Sequence, residues 1–304
     1  MKNVLYIAYS LDDNYVNLCQ LSMYSIIAHK NEDTEIHFYV IVIKGFLSDL
    51  TVFNKFDKLE NVHVQIIELG QEIADRIKNI AKVQHQWDNF YPRFLIPNLP
   101  TFYNVDRVLH LDADTLIMKD LTDLCNIDLG NNLVGMALNQ HHILHGDMCR
   151  KNFDSLDLLF NGGVFLLNCK EIRRGKYVEK WLNMFETMVG QNLYDETLFT
   201  QYFFNQTKQL PPTANVLYPL IFDNYPYVSD IFYWNVLLNT SYKSFTELLE
   251  QTYVLHMFGD KENIETFLVL NYTYTKLKQK LAVFFDTGVF DTNVEDIDYK
   301  LIRR

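Results

Sequence analysis

The chain has 304 residues, 48% of them hydrophobic and 21% charged, with a net charge of −11 at pH 7. Those values fit an ordered globular protein of one large or two modest domains and exclude disorder as the main state. They also demote nucleic acid as a partner, because gripping a phosphate backbone depends on a surplus of cationic side chains.

The first half alternates strand and helix patterns. Val4–Ser10 is an apolar run that ends in the polar turn Leu11-Asp12-Asp13-Asn14. Tyr15 to Lys30 has helical spacing, and Ile36–Ile43 is a continuous apolar run of the kind buried on both faces of a sheet. Ser48–Leu59 reads as a helix with Ser48 as its cap, Val62–Leu69 as a strand and Gln71–Lys82 as a helix. This β-α-β-α-β order predicts an α/β fold with a mostly parallel sheet covered by helices. Further on, Arg107–Leu111, Leu133–Leu138 and Gly163–Leu167 read as core strands, and Lys170–Met188 and Glu196–Phe204 as helices. A loop-rich stretch punctuated by Pro211, Pro212, Pro219 and Pro226 precedes a short strand at Thr252–Met257 and a mostly helical Ile264–Phe285.

Cys19, Cys125, Cys149 and Cys169 are widely spaced, form no CxxC pair and read as reduced thiols of a cytoplasmic protein. No apolar stretch approaches the ~20 residues that cross a bilayer, and the opening residues lack a signal-peptide pattern. Lys300, Arg303 and Arg304 allow peripheral membrane contact at most, since stable anchoring needs more basic or apolar surface.

The residues that carry chemistry are Asp112 and Asp114, separated by Ala113, directly after the apolar strand Arg107–Leu111. Carboxylates at i and i+2 point the same way in a strand, and ligands of α/β sheets bind at strand carboxyl ends. Two converging carboxylates repel unless a cation joins them, and a hard divalent ion such as Mg²⁺ or Mn²⁺ meets that need. Two enzyme classes use such a pair. Asp112-Ala113-Asp114-Thr115 fits the DxDxT string of haloacid-dehalogenase-type phosphatases, but three predicted strands precede it, and Gly259-Asp260 lacks the second Asp that such a fold needs. A nucleotide-sugar transferase uses the same pair to hold the metal that bridges a diphosphate. A third possibility is a sugar-nucleotide-binding protein without turnover.

The flanking sequence resembles glycosyltransferase family 8, the group containing glycogenin and the bacterial lipooligosaccharide α-galactosyltransferases, over roughly residues 3–262. The matching strings are Tyr6 to Tyr15, Tyr91-Pro92-Arg93, Arg107 to Asp114, Phe160-Asn161-Gly162-Gly163 through Asn168, Asp195-Glu196-Thr197, and His256-Met257-Phe258-Gly259. The resemblance implies a GT-A fold, Rossmann-like, with a catalytic domain over 1–240 and a C-terminal segment over 241–304 that carries the metal His and a small helical extension. It implies a metal-dependent, retaining transfer of glucose or galactose from a UDP-hexose to a glycan, glycoprotein or glycolipid. On the matched positions, Ala8, Asp12, Asp13, Asn14 and Tyr15 would receive the uracil end of the donor. Asp112, Asp114 and His256 would hold the metal, with Ala113 beside the donor. A nitrogen ligand suits Mn²⁺ better than Mg²⁺. Arg93 would reach the phosphate or sugar side, Asn139, Asn161 and Gly162 the donor sugar, and Gly259 and Lys261 the diphosphate. Asp195 would bind donor hydroxyls. Glu196 would act as nucleophile or as electrostatic stabiliser, or else merely start a helix.

The chain departs from the family pattern twice. Glu262 stands where the family carries the Lys of Lys-Pro-Trp, with Lys261 one residue early, and Glu196 replaces the Gln of the bacterial galactosyltransferases. His141, His142 and His145, with Asp147 nearby, are expected to belong to a loop at the mouth of the acceptor cleft rather than to a second metal site.

Overall fold

A computed structural model describes residues 3–84, 86, 88–140, 159–189, 193, 195–217, 231–257 and 268–291. Its centre is a seven-stranded sheet in the order β3-β2-β1-β4-β7-β6-β8. The strands are β1 (Asn3–Ser10), β2 (Thr34–Ile43), β3 (Val62–Leu69), β4 (Arg107–Leu111), β6 (Val134–Leu138), β7 (Phe160–Asn168) and β8 (Thr207–Gln209). Neighbours pair in parallel except at β7, which runs against both β4 and β6. Three short strands, β5 (Thr115–Ile117), β9 (Val216–Leu217) and β10 (Val254–His256), form a second sheet in the order β5-β10-β9.

The sheet is covered on both faces, as the unbroken apolar run of β2 requires. Ile36, Phe38, Val40 and Val42 enter one core cluster, while Tyr39, Ile41 and Ile43 enter the other, because successive side chains of a strand point to opposite faces. The first face is covered by α1 (Val16–His29), with the C-terminal helix Leu268–Thr287 seated on it through Phe284, whose ring lies 6.3 Å from Tyr24 and 5.2 Å from Phe56. The second face is covered by α2 (Gln71–Gln84), a 3₁₀ segment over Asp88–Asn98 and a helix over Tyr177–Thr187.

Three expected helices differ in the structure, and a fourth helical segment appears where none was expected. Ser48–Leu59 is not a helix but a series of turns ending in one 3₁₀ turn, Phe56–Lys58. Asp49 Oδ1 accepts from both the backbone N–H and the hydroxyl of Thr51, and Asp13 Oδ1 accepts from the Ser48 N–H. The helix over Lys170–Met188 is two helices, Cys169–Gly175 and Tyr177–Thr187, broken at Lys176, whose φ of 54° is left-handed. Glu196–Phe204 is one helical turn, Asp195–Thr197, running into a π-helical turn, Leu198–Tyr202. Asp88–Asn98, to which the sequence reading assigns no element, is 3₁₀ throughout, with Pro92 and Pro97 inside it.

That 3₁₀ segment is anchored by Phe94, which is fully buried in an aromatic cluster with ring centroids 4.9 Å from Phe185, 5.8 Å from Trp181 and 6.3 Å from Phe165. Phe94→Ala should therefore cost about 3–5 kcal/mol of unfolding free energy, the range for deleting a buried ring. Urea titration against the parent protein measures it.

Candidate active site

Strands β1 and β4 are parallel and end at one edge of the sheet; β7 is antiparallel and begins there. The residues that follow β1 and β4 therefore meet the first residues of β7, and the Asp112 N–H donates to Gly163 O at 2.9 Å. The turn after β4 leads into β5, where Thr115 lies opposite His256 at the end of β10. The Thr115 hydroxyl donates to Asp112 O at 2.8 Å and contacts the Ser22 hydroxyl at 3.0 Å, so it braces the carboxylate turn from within the core. The Met257 N–H adds a bond to Asp114 O at 2.8 Å.

These contacts bring Asp112, Asp114 and His256 together. His256 Nε2 lies 3.4 Å from Asp114 Oδ1 and 3.9 Å from Asp112 Oδ2, and one donor atom from each residue falls within 4.8 Å of the others. Burial disfavours a charged His256, but the Asp114 and Asp112 carboxylates outweigh it and raise its pKa. The imidazole fits because of Gly163, where an added Cβ would come within 2.2 Å of the ring. Two carboxylates and one imidazole, held by backbone and cleared by a glycine, suit a first-row divalent cation with positions left for water or phosphate.

Beside this group lies Arg93, delivered by the 3₁₀ segment. Its Nη2 donates to Asp112 Oδ1 at 2.8 Å, and its Nη1 donates to Asp195 Oδ2 at 2.9 Å and to Gly162 O at 3.0 Å. The guanidinium also sits 4.6 Å from the centre of the Phe90 ring. Asp195 fits only against glycine, since a Cβ at Gly162 would fall 1.7 Å from its Oδ2. Burial lifts the Asp195 pKa to about 6 despite the opposing pull of Arg93.

Glu196 is the next residue. Its Oε1 accepts from Asn161 Nδ2 at 2.7 Å and from Asn139 Nδ2 at 3.3 Å. Burial first, then the negative charge of Asp195, push its pKa up to about 8, against the pull of the two amides. The orientation of Asn161 is fixed from behind: its Oδ1 accepts from Asn215 Nδ2 at 2.6 Å and from the Gly163 N–H at 3.0 Å, which leaves its amide nitrogen for Glu196. Gln140 ties this layer to β9, donating to Asn215 O at 2.8 Å and accepting from the Leu217 N–H at 2.9 Å.

The expected base-binding turn is adjacent but separate. Asp12 Oδ1 caps the Asn14 N–H at 2.9 Å, and its Oδ2 accepts from Asn89 of the 3₁₀ segment at 3.2 Å. Asp13 Oδ1 accepts from the Ser48 N–H at 2.9 Å, so much of the acceptor capacity of this turn is taken by donors of the protein itself. Tyr15 is partly buried against the core, and Ala8 and Ala113 are buried. Gly259, Lys261 and Glu262, like His141, His142, His145 and Asp147, lie outside the described residues. Sequence reasoning singled out Arg93, Asp112, Asp114, Asn139, Asn161, Gly162, Asp195, Glu196 and His256, and the structure brings them into one connected group. It missed Asn89, Gln140 and Asn215, which carry no motif, and Phe90, whose signal was its place beside Tyr91-Pro92-Arg93.

The mostly parallel sheet flanked by helices is that of the GT-A glycosyltransferases, a class that uses a nucleotide-sugar donor and a divalent metal. Residues 6–262 match the family model described as Glycosyl transferase family 8, and the chain belongs to that family. The haloacid-dehalogenase reading of the DxDxT string is thereby set aside, as is a role limited to binding. Among relatives, general stress protein A of Bacillus subtilis is 22% identical over 70% of this chain and 73% of its own length. The lipopolysaccharide 1,2-glucosyltransferase of Escherichia coli is 26% identical over 71% of this chain and 63% of its own. The glycosyltransferase GlyE of Streptococcus pneumoniae is 30% identical over 36% of this chain, a stretch that is 25% of GlyE. The galactosyltransferase LgtC, solved with donor and acceptor sugar analogues, superposes with a TM-score of 0.65 at 21% identity, covering 90% of this chain and 95% of LgtC. The bifunctional glycosyltransferase WbbM superposes at 0.63 with 20% identity, covering 86% of this chain and 46% of WbbM. Both structural likenesses establish the fold.

The acid pair makes the stability of the metal-free protein pH-dependent. Folded Glu196 keeps its proton up to about pH 8, against an ordinary value of 4.5, and folded Asp195 up to about 6, against 3.8. Between those limits the folded state binds more protons than the unfolded one, so stability is greatest at the acid end and is lost as pH rises toward 8. Glu196→Gln, which imitates the protonated acid, should flatten the upper half of that slope in urea titrations run from pH 5 to 8.5. Gly163→Ala should fold with reduced stability and lose divalent-metal binding, because the His256 ring must move; isothermal titration with Mn²⁺ detects the loss.

Proposed function

We propose that this chain is a metal-dependent, retaining hexosyltransferase that moves glucose or galactose from a UDP-hexose to a glycan, glycoprotein or glycolipid acceptor. The observation that carries the reading is the convergence of Asp112, Asp114 and His256, within 4.8 Å of one another, next to the buried Asn139–Asn161–Glu196 group. Relatives named for glucosyl and galactosyl transfer support a hexose donor. Asp112, Asp114 and His256 would hold Mn²⁺, or Mg²⁺ in its place, which supplies Lewis-acid stabilisation of the leaving diphosphate. The buried free thiols of Cys19, Cys125 and Cys169 accord with a cytoplasmic location, and no described helix is long and apolar enough to cross a membrane.

The remaining roles belong to the chain's own groups. Asp12, Asp13, Asn14 and Tyr15, with Ala8 behind them, receive the base. Arg93 holds Asp112 and Asp195 in register. Asp195, Asn139, Asn161 and Gly162 orient the donor sugar, with Ala113 beside it and Gly259 and Lys261 toward the diphosphate. Glu196 supplies negative charge at the sugar, either as the nucleophile of a covalent intermediate or as a stabiliser of an oxocarbenium-like transition state.

Screening UDP-sugars with Mn²⁺ for release of UDP tests the reading as a whole. Asp112→Asn or Asp114→Asn, or addition of EDTA, should lower turnover by at least ~10–100-fold, the loss typical of disturbing even the supports of a metal site. Full activity under any of these conditions would refute the metal assignment. Glu196→Gln separates the two chemical roles. A nucleophile predicts loss of several orders of magnitude in kcat, with a sugar adduct on the parent enzyme and none on the variant in mass spectra. Nearly normal turnover would retire both roles and leave Glu196 as a helix-start residue.

A further inference from the structure

A second group of metal-ligating side chains lies at the other end of the strands. Glu35 and His37 stand two residues apart near the start of β2, and so on one face of it. His63 stands in the neighbouring edge strand β3, in direct register with His37. Glu35 Oε1 is 2.7 Å from His37 Nε2 and 3.5 Å from His63 Nε2, and the two imidazole rings are 4.6 Å apart. Tyr6 of β1, in register with His37, places its ring 5.3 Å from that imidazole and closes one side of the group. None of these residues belongs to the donor or metal site at the carboxyl ends of β1 and β4.

We propose that Glu35, His37 and His63 form a second, structural metal site, selective for a borderline transition cation of the Zn²⁺ class. Three donors, one carboxylate oxygen and two imidazole nitrogens, all lie within 4.8 Å of one another. Zinc bonds of ~2.0–2.1 Å in tetrahedral geometry set donor atoms about 3.3 Å apart. The observed 2.7 and 3.5 Å separations bracket that value, so modest side-chain rotation brings the atoms onto one ion, with water in the fourth position. Two nitrogen ligands disfavour Mg²⁺ and Ca²⁺, which take oxygen donors. The paired backbone supplies the preorganisation, since strand pairing sets the His37–His63 spacing and the period of two sets Glu35 on the same face as His37. His63 is half exposed, so the ion has an open path from solvent. Bound there, the cation would staple β3, an edge strand, to β2.

Zn²⁺ can also occupy the site at Asp112, Asp114 and His256, so the test uses the Asp114→Asn background. After EDTA stripping and dialysis at pH 7.5, Zn²⁺ uptake is measured by competition with a chromophoric chelator, alongside thermal melting with and without Zn²⁺. The proposal expects the Asp114→Asn protein to keep one Zn²⁺ per chain and to melt at higher temperature with it. Adding His63→Ala or Glu35→Gln should weaken that binding at least tenfold and remove the melting shift, while circular dichroism stays unchanged. His63→Ala alone should leave Mn²⁺-dependent UDP-sugar turnover at the parent level. No Zn²⁺ uptake by the Asp114→Asn protein, or equal uptake with and without His63, would overturn the proposal; His63→Gln serves in place of the alanine variant if that one misfolds.

Discussion

The site depends on the guanidinium of Arg93, a buried cation bonded to two acids that come from different parts of the chain. A buried charge is tolerated only when it is paired and hydrogen-bonded. Arg93 meets that condition by joining Asp112, which follows β4, to Asp195, which opens a helix, and by taking the Gly162 carbonyl of β7 as well. Three elements are thus fixed against one another by a single planar group whose fork geometry dictates where each acid oxygen must lie. The 3₁₀ segment that carries Arg93 is stiffened by Pro92 and Pro97 and pinned by Phe94 in the aromatic cluster. One guanidinium cannot balance Asp112, Asp114 and Asp195 together. The excess negative charge sits on the side facing His256, where a divalent cation would complete the balance.

The two consecutive glycines of β7 solve a spatial problem that any larger residue would recreate. Neighbouring positions on a strand face opposite ways. Gly162 clears one side for Asp195 and Gly163 clears the other for His256. The sheet edge can therefore hold a carboxylate on one face and an imidazole on the other with only backbone between them. Asn161, one residue earlier, spends its carbonyl oxygen on Asn215 and on the Gly163 N–H, and this turns its amide toward Glu196. The string Asn161-Gly162-Gly163 thus encodes both halves of the site.

These relationships explain which features the sequence made legible. The core strands are visible because burial on both faces demands apolar runs, and β2 has one. Asp112 and Asp114 are visible as a carboxylate pair directly after an apolar strand, and Gly162, Gly163 and His256 through strings that resemble the family's. The turns that replace the helix expected over Ser48–Leu59 leave no mark in the apolar spacing, which fits either arrangement. The 3₁₀ segment Asp88–Asn98 is hidden for a different reason: its prolines argue against a helix, and its burial depends on aromatic neighbours such as Phe185 and Trp181 from much later in the chain. Gln140 and Asn215 escape notice because Gln140 bonds the backbone of Asn215 and Leu217 while the Asn215 amide donates to Asn161, and such long-range bonds leave no local pattern.

The charge state of Glu196 follows from the same geometry. Both amide donors, from Asn139 and Asn161, meet the single oxygen Oε1, so Oε2 is the oxygen that no described donor occupies. Those two bonds favour the ionised form, whereas burial and the neighbouring Asp195 and Asp112 charges favour the protonated form. The second set prevails, with burial the largest influence and the pKa lifted to about 8. A cation held on Asp112 would cancel part of the field that keeps the proton on Glu196. Asp112 contributes least to that field, so burial and the adjacent Asp195 set the charge state of Glu196.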